Sequence, residues 1–219
     1  ECTVVIDVAM TETAEQADWV LPASSQYEKA EATFFSAAFP ENMFHLRPAI
    51  LEPLEGTLSE PELHSRLVQA TGVLDDIDFD ALRAAAEEGL QSFSEAFMNA
   101  ALENKAVSEY GAVVLYETLG KTLPWEKQGG AVLWFSCQMV AQKYPEQVRS
   151  AGHTGEGAEL GNALFQAVLD GEDGVIFTRH THEEAFDFLT TPDQRIHLDI
   201  KEMHTAVEGL IDAPVKYTS

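Results

Sequence analysis

Asp7 and Thr11 are the two residues of this sequence best placed for ligand chemistry. A carboxylate leaving a strand can accept from the N–H and O–H groups of a base or ribose. A hydroxyl where the next helix begins can, with the free amides of that helix, donate to a nucleotide or its phosphates. On the residues alone, the plainer alternative is that Asp7 caps the helix and Thr11 is a turn residue. Three other clusters contain chemically capable residue types. His180-Thr181-His182-Glu183-Glu184, with His197 and His204 downstream, holds imidazoles and carboxylates, but its spacing suits a capped helix start better than a metal site. Cys137 lies among Trp134, Phe135, Met139 and Val140 on a helical pattern and reads as core, with no base beside it. Gly152-His153-Thr154-Gly155-Glu156-Gly157 lacks the lysine and hydroxyl of a phosphate loop and follows no strand, so it reads as a connection between helices. No catalytic residue and no metal ligand is nominated, and Glu12, Asp18 and Glu28 read as structural or supporting.

The elements that must position Asp7 and Thr11 form a short α/β unit. Residues 3–8 give a continuous apolar run of the kind a buried parallel strand shows. Thr11 or Thr13 can cap a helix ending near Ala17, and Trp19, Val20 and Leu21 form a second apolar stretch stopped by Pro22. Residues 24–53 show no helical period and read as extended loop with short strands. Ser59-Glu60-Pro61-Glu62 then has the form of a capping box opening a helix that carries Leu63, Leu67 and Ala70 and stops at Gly72. Apolar residues at steps of three and four follow: Phe79, Leu82, Ala86, Leu90, Phe93 and Phe97, then stripes over 107–119 and 132–148, and a further helix over 156–169 ended by Gly171. Residues 174–178 and 195–200 read as strands, with helices over 183–189 and 202–210. Right-handed crossovers would make those strands parallel and let them join the opening strand. The expected fold is α/β, a Rossmann-like parallel sheet fragment with a large helical insertion. Its segments are an α/β cofactor-binding segment at 1–72, the insertion at 73–170 and a closing β-α-β-α segment at 171–219. Both ends read as excision points, since residues 3–6 open directly on a central-type strand and residues 213–219 trail off after a helix.

Composition limits the partners. The chain has 219 residues, 45% of them apolar, enough for one sizeable core or two small ones. Thirteen Lys and Arg against 37 Asp and Glu give a formal charge of -24, which repels a phosphate backbone, so nucleic acid is an unsuitable partner. Cys2 and Cys137 lie in no ligand array, which disfavours an iron–sulfur cluster or a disulfide framework within this segment. No apolar run reaches membrane-spanning length, and no secretory leader pattern opens the chain.

The residues 4–14, Val-Val-Ile-Asp-Val-Ala-Met-Thr-Glu-Thr-Ala, followed by Ala17-Asp18-Trp19-Val20-Leu21-Pro22-Ala23 and Glu28-Lys29, resemble a segment of the dimethyl-sulfoxide-reductase family of molybdopterin oxidoreductases. That family includes molybdenum- or tungsten-dependent formate dehydrogenases and nitrate reductases. Its members show an apolar strand ending in Asp, a Thr-Glu-Thr-Ala-like helix start, an Ala-Asp-x-Val-Leu-Pro strand, and then a Glu-x-x-Gly-Thr-x-x-Asn stretch. The first three parts match here. The fourth departs at Glu31-Ala32-Thr33-Phe34-Phe35-Ser36, where glycine and asparagine would stand, and Glu31 removes tolerance of positive φ. A weaker match runs through residues 51–67, and the helical middle carries nothing diagnostic. The resemblance implies a fragment of a bis-molybdopterin guanine dinucleotide oxidoreductase, with Asp7 and Thr11 as cofactor contacts. The metal ligand, and any cluster cysteines, would lie elsewhere in the parent. Its implied partners are the parent's remaining domains and a redox partner, with a cytoplasmic location expected and a periplasmic one left open. The rival expectation is a non-catalytic helical interaction module on a remnant of such a domain. A self-contained nucleotide-binding domain would need a glycine fingerprint after the first strand, and residues 7–13 contain no glycine.

Overall fold

The computed structural model describes residues 2–33 and 39–211. They form two compact units, Glu1–Arg179 and His180–Ser219. The fold is mixed α and β, mostly helical, with a parallel two-stranded sheet and an antiparallel three-stranded sheet.

In the first unit, β1 (Val4–Asp7) and β2 (Trp19–Pro22) pair in parallel, with Val4 opposite Trp19 and Asp7 opposite Pro22. Their connection is a single 3-10 turn, Ala14–Gln16, in place of the expected α-helix. Thr13 makes no side-chain cap there, and the Thr11 hydroxyl accepts from the Ala14 amide at 3.3 Å. Next come β3 (Glu31–Thr33) and β4 (Glu41–Arg47), an antiparallel pair with Glu31 opposite Arg47. Glu31, the departure from the family pattern, sits in that strand, and Phe34, Phe35 and Ser36 lie outside the described residues. Among the described residues the parallel ladder has two strands. The strand expected at 174–178, β5 (Val175–Arg179), pairs antiparallel with β4 and does not extend β1. Side chains fix that choice: Arg179 bonds Glu41 at 2.8 Å, and the Asn42 amide donates to the Thr178 hydroxyl at 2.9 Å. β5 therefore belongs to the first unit, whereas the sequence reading grouped it with the chain's last helices.

Helices α1 (Glu60–Gln69), α2 (Phe79–Glu88), α3 (Leu90–Glu103), α4 (Lys105–Glu109), α5 (Gly111–Leu115), α6 (Leu133–Lys143), α7 (Pro145–Ser150) and α8 (Ala158–Asp170) supply the core. A π-helical turn, Tyr116–Gly120, follows α5, and a 3-10 segment, Trp125–Val132, leads into α6. Each long apolar stripe of the sequence is cut into shorter rods. The stripe from Phe79 to Phe97 breaks at Gly89, whose φ of 136° lets α2 end and α3 begin without a connecting loop. The stripe over 132–148 breaks before Pro145, which cannot continue a helix but suits a first turn.

Phe93, Phe97 and Trp134 form the aromatic centre, with ring centroids 5.2 to 5.7 Å apart and edge-on or tilted planes. Phe93, Trp134 and Phe165 are essentially fully buried, each contributing about 2–3 kcal/mol of apolar transfer. Across this centre Asn162 of α8 is the polar pin. Its carbonyl accepts from Trp134 Nε1 at 2.9 Å and Gln138 Nε2 at 2.7 Å, and its amide donates to the Leu90 carbonyl at 3.2 Å. The expected helix–helix connection at 152–157 joins α7 to α8, turning through the positive φ of Gly152, Gly155 and Gly157.

In the second unit, Glu183–Phe188 is a 3-10 helix and α9 spans Lys201–Ile211. Residues 195–200, expected as a strand, form none. Alternating apolar residues make a strand only where a neighbour takes up the backbone groups, and here Ile196 and Leu198 stay exposed. No described helix is long and apolar enough to cross a membrane.

Candidate functional site

The structure brings Asp7 and Thr11 together at the carboxyl end of β1. The Thr11 hydroxyl donates to Asp7 Oδ2 at 3.2 Å, while Oδ1 accepts from the Val8 amide at 2.7 Å and the Ala9 amide at 3.4 Å. Both residues are half-buried. Because β1 and β2 are parallel, this end is also where β2 stops, the position at which open α/β sheets take ligands.

The two side chains differ in what they have left to offer. Oδ1 already accepts from two amides, but Oδ2 takes only the Thr11 hydroxyl and keeps a second lone pair, so Asp7 can accept there from an incoming N–H or O–H. Thr11 has committed its proton to Asp7 and accepts from Ala14, so it holds the carboxylate in place and the turn closed. A helix dipole does not reinforce the pair. The turn that follows is three residues long, and Glu12, Glu15 and Asp18 surround it, so the end of β1 suits donors on a base or ribose and repels phosphate. The expected role of helix amides toward a diphosphate finds no helix here. Asp18, read as supporting, receives the Thr3 amide at 2.8 Å and ties the start of β1 to the approach to β2.

Beyond β2 the same unit contains a cavity of about 340 Å³ that the sequence did not reveal, lined among others by Ser24, Glu28, Lys29, Ser59, Trp125 and Gln128. Its polar groups come from segments more than a hundred positions apart, a convergence that no local spacing announces. Glu28 is structural, as expected. It takes the Ser25 amide at 2.7 Å and the Leu54 amide at 2.9 Å, and the Ser25 bond foremost holds its carboxyl below the ordinary range. Lys29 is paired with Glu60 and, at 3.3 Å, with Glu31.

Glu62 and Tyr116 border this cavity and belong to a charged network around the π turn. Ser59 makes no side-chain cap, so the expected capping box does not close. Glu62 instead accepts from Arg66 at 2.7 Å and from the Tyr116 hydroxyl and Lys121, each at 2.9 Å. Burial alone would raise the Glu62 pKa, but the bonds from Lys121, Arg66 and Tyr116 outweigh it and bring it down to about 2. Burial and the bond to Glu62 raise Tyr116; desolvation alone would lower Lys121, but its bond to Glu62 together with the charges of Tyr116, Glu117 and Glu62 outweighs that and raises it. Neither is a nucleophile near neutral pH, and the network reads as a tie between α1 and the π turn.

The remaining nominated clusters hold structural positions. Cys137 is buried, and desolvation pushes its thiol up to about 12, far from a thiolate. In the second unit, Glu184 accepts from the Thr181 amide at 2.7 Å and lies 3.6 Å from His180, while His182 opens the 3-10 helix without a side-chain cap. His197 bonds Asp193 at 3.0 Å. Among the described residues no three His, Cys, Asp or Glu side chains converge as a metal site.

Comparison with models of known families, with curated proteins and with solved structures yields no match.

Proposed function

We propose that this chain is part of a molybdopterin guanine dinucleotide oxidoreductase of the dimethyl-sulfoxide-reductase type and helps to hold the nucleotide end of the cofactor. The observation that carries the reading is the hydrogen-bonded Asp7–Thr11 pair at the carboxyl end of a parallel strand pair. The sequence resemblance around residues 4–23 supplies the identity of the ligand. In this reading β1 and β2 belong to a larger Rossmann-like sheet completed by other parts of the parent. Asp7 accepts from the base or ribose, and Thr11 positions the carboxylate. The bound molybdenum or tungsten centre would supply the electron chemistry, while this segment supplies orientation. The location implied is cytoplasmic.

Bound guanine nucleotide, measured after release from the intact metalloenzyme, is the test. Asp7→Ala should lower cofactor occupancy about tenfold, equivalent to ~1.4 kcal/mol, and Thr11→Val should lower it less, because Val8 and Ala9 still hold the carboxylate. Wild-type occupancy in Asp7→Ala would overturn the assignment.

A second reading, the helical interaction module, is favoured by a groove of about 570 Å³ between α3 and α6. Met98, Phe135 and Met139 line it and are half exposed, the adaptable apolar surface that partner-binding proteins use. In that case Met98→Glu with Met139→Glu would abolish complex formation by the parent while cofactor content stayed constant. An unchanged complex would refute this reading.

A further inference from the structure

The cavity beyond β2 has polar groups that the fold leaves unused. The Thr57 hydroxyl donates to the Leu54 carbonyl at 2.8 Å, so in its 3.2 Å bond with Ser24 the Ser24 hydroxyl is the donor. The Ser24 residue is fully buried and lines the cavity, and with its proton committed its oxygen has only acceptance to offer. Three further lining groups come from distant segments: the Ser59 hydroxyl, which does not cap α1, the Gln128 amide and the Glu52 carboxylate. None of these three bonds another described residue.

Charge and shape narrow the occupant. Glu28 and Glu52 both line the cavity, and among the described residues neither has an ion-pair partner. Glu28 is held by the Ser25 and Leu54 amides, Lys29 is taken by Glu60 and Glu31, and Glu62 is matched by Arg66 and Lys121. The wall therefore keeps two uncompensated carboxylates, which repel an anion and attract a cation. The cation is not a metal ion, because no three His, Cys, Asp or Glu side chains converge among the described residues. The rest of the wall is largely apolar, with Leu58, Pro61 and the Trp125 ring, 41% exposed and of the kind that attracts an ammonium. A volume of about 340 Å³ is that of a small-molecule site. Tyr116 brings to its border a π turn, a distortion frequent at functional sites.

We propose that this cavity binds a small primary amine as its ammonium ion. The ammonium carries three N–H donors and no acceptor, which suits a wall where Ser24, Ser59, Glu52 and the Gln128 carbonyl can accept. Glu28 and Glu52 balance its charge, and its apolar body lies against Trp125 and Leu58. A quaternary ammonium satisfies the charge but brings those acceptors no donor. The inference goes beyond the nucleotide reading and is independent of it, since neither Asp7 nor Thr11 lines the cavity.

Calorimetric titration with phenethylamine at pH 7 and ~150 mM salt tests the inference, beside phenethyl alcohol, hydrocinnamate and the N,N,N-trimethyl derivative of the amine. The amine should bind with a dissociation constant of about 1 mM or tighter, the alcohol and the trimethyl derivative about tenfold more weakly, and hydrocinnamate not at all. Trp125→Ala and Glu52→Gln should each weaken the amine by at least ~fivefold. Glu156→Gln, an exposed carboxylate that does not line the cavity, should leave its affinity unchanged. In the unmutated chain an NOE from the ligand ring to the Trp125 indole should place the amine without any variant. The proposal is overturned if the amine does not bind at ~10 mM, or if the alcohol or hydrocinnamate binds as tightly. It is equally overturned if both cavity variants keep full affinity with no NOE to Trp125, or if the amine binds the chain but not the native assembly that contains it.

Discussion

Replacing Glu62 by glutamine probes the network that ties α1 to the π turn. The wild-type carboxylate accepts from Arg66, Tyr116 and Lys121, and its pKa falls from the ordinary 4.5 to about 2. At ~1.4 kcal/mol per tenfold change in proton affinity, that fall is worth at most ~3–4 kcal/mol. The side chain is 20% exposed and Lys121 29%, so solvent screening trims the expectation to ~2 kcal/mol. A depressed carboxylate stabilises fully above its unfolded pKa of 4.5 and loses that stability as pH falls through about 2. Glu62→Gln should therefore be about 2 kcal/mol less stable than wild type at pH 7 by urea titration of tryptophan fluorescence. The difference should shrink through pH 4 and 3. A gap that keeps its size from pH 7 to pH 3 would show that lost packing, not charge, explains it. No gap at pH 7 would refute the network's contribution.

Two further outcomes follow from the helical core. Asn162→Ala strands the Trp134 indole N–H inside the core, removes the bonds that Asn162 shares with Gln138 and Ser94, and should destabilise the chain by ~3 kcal/mol in the same titration, whereas Gln166→Ala, on the exposed side of α8, should change it by less than ~1 kcal/mol. Native protein treated with iodoacetamide at pH 8 should be alkylated at exposed Cys2 and not at Cys137, as read by peptide mass spectrometry; rapid labelling of Cys137 would contradict its burial and raised pKa.

Local chemistry carried much of this structure into the sequence. The apolar run ending in Asp7, the stretch stopped by Pro22, the helix opened by Pro61 and the stripes through Leu82, Phe93, Phe97 and Leu164 all reappear as elements or buried faces. Their signals are short-ranged: period, ring constraint and glycine freedom act within a few residues. Even the meeting of Asp7 and Thr11 was legible, because they lie four positions apart across one turn. The partners of these elements were decided elsewhere. Val175–Arg179 reads like any parallel strand, yet Glu41 and Asn42, more than a hundred residues earlier, claim its side chains and reverse its direction relative to its neighbour. Ser59 and Glu62 spell a capping box, but Tyr116 and Lys121 bid for the same carboxylate from a half-buried setting where a charged bond is stronger. The cavity at Ser24, Ser59, Trp125 and Gln128 had no signature at all. Sequence fixes what each segment can do through neighbours along the chain, and only the tertiary fold sets which distant groups compete for its hydrogen bonds and its apolar faces.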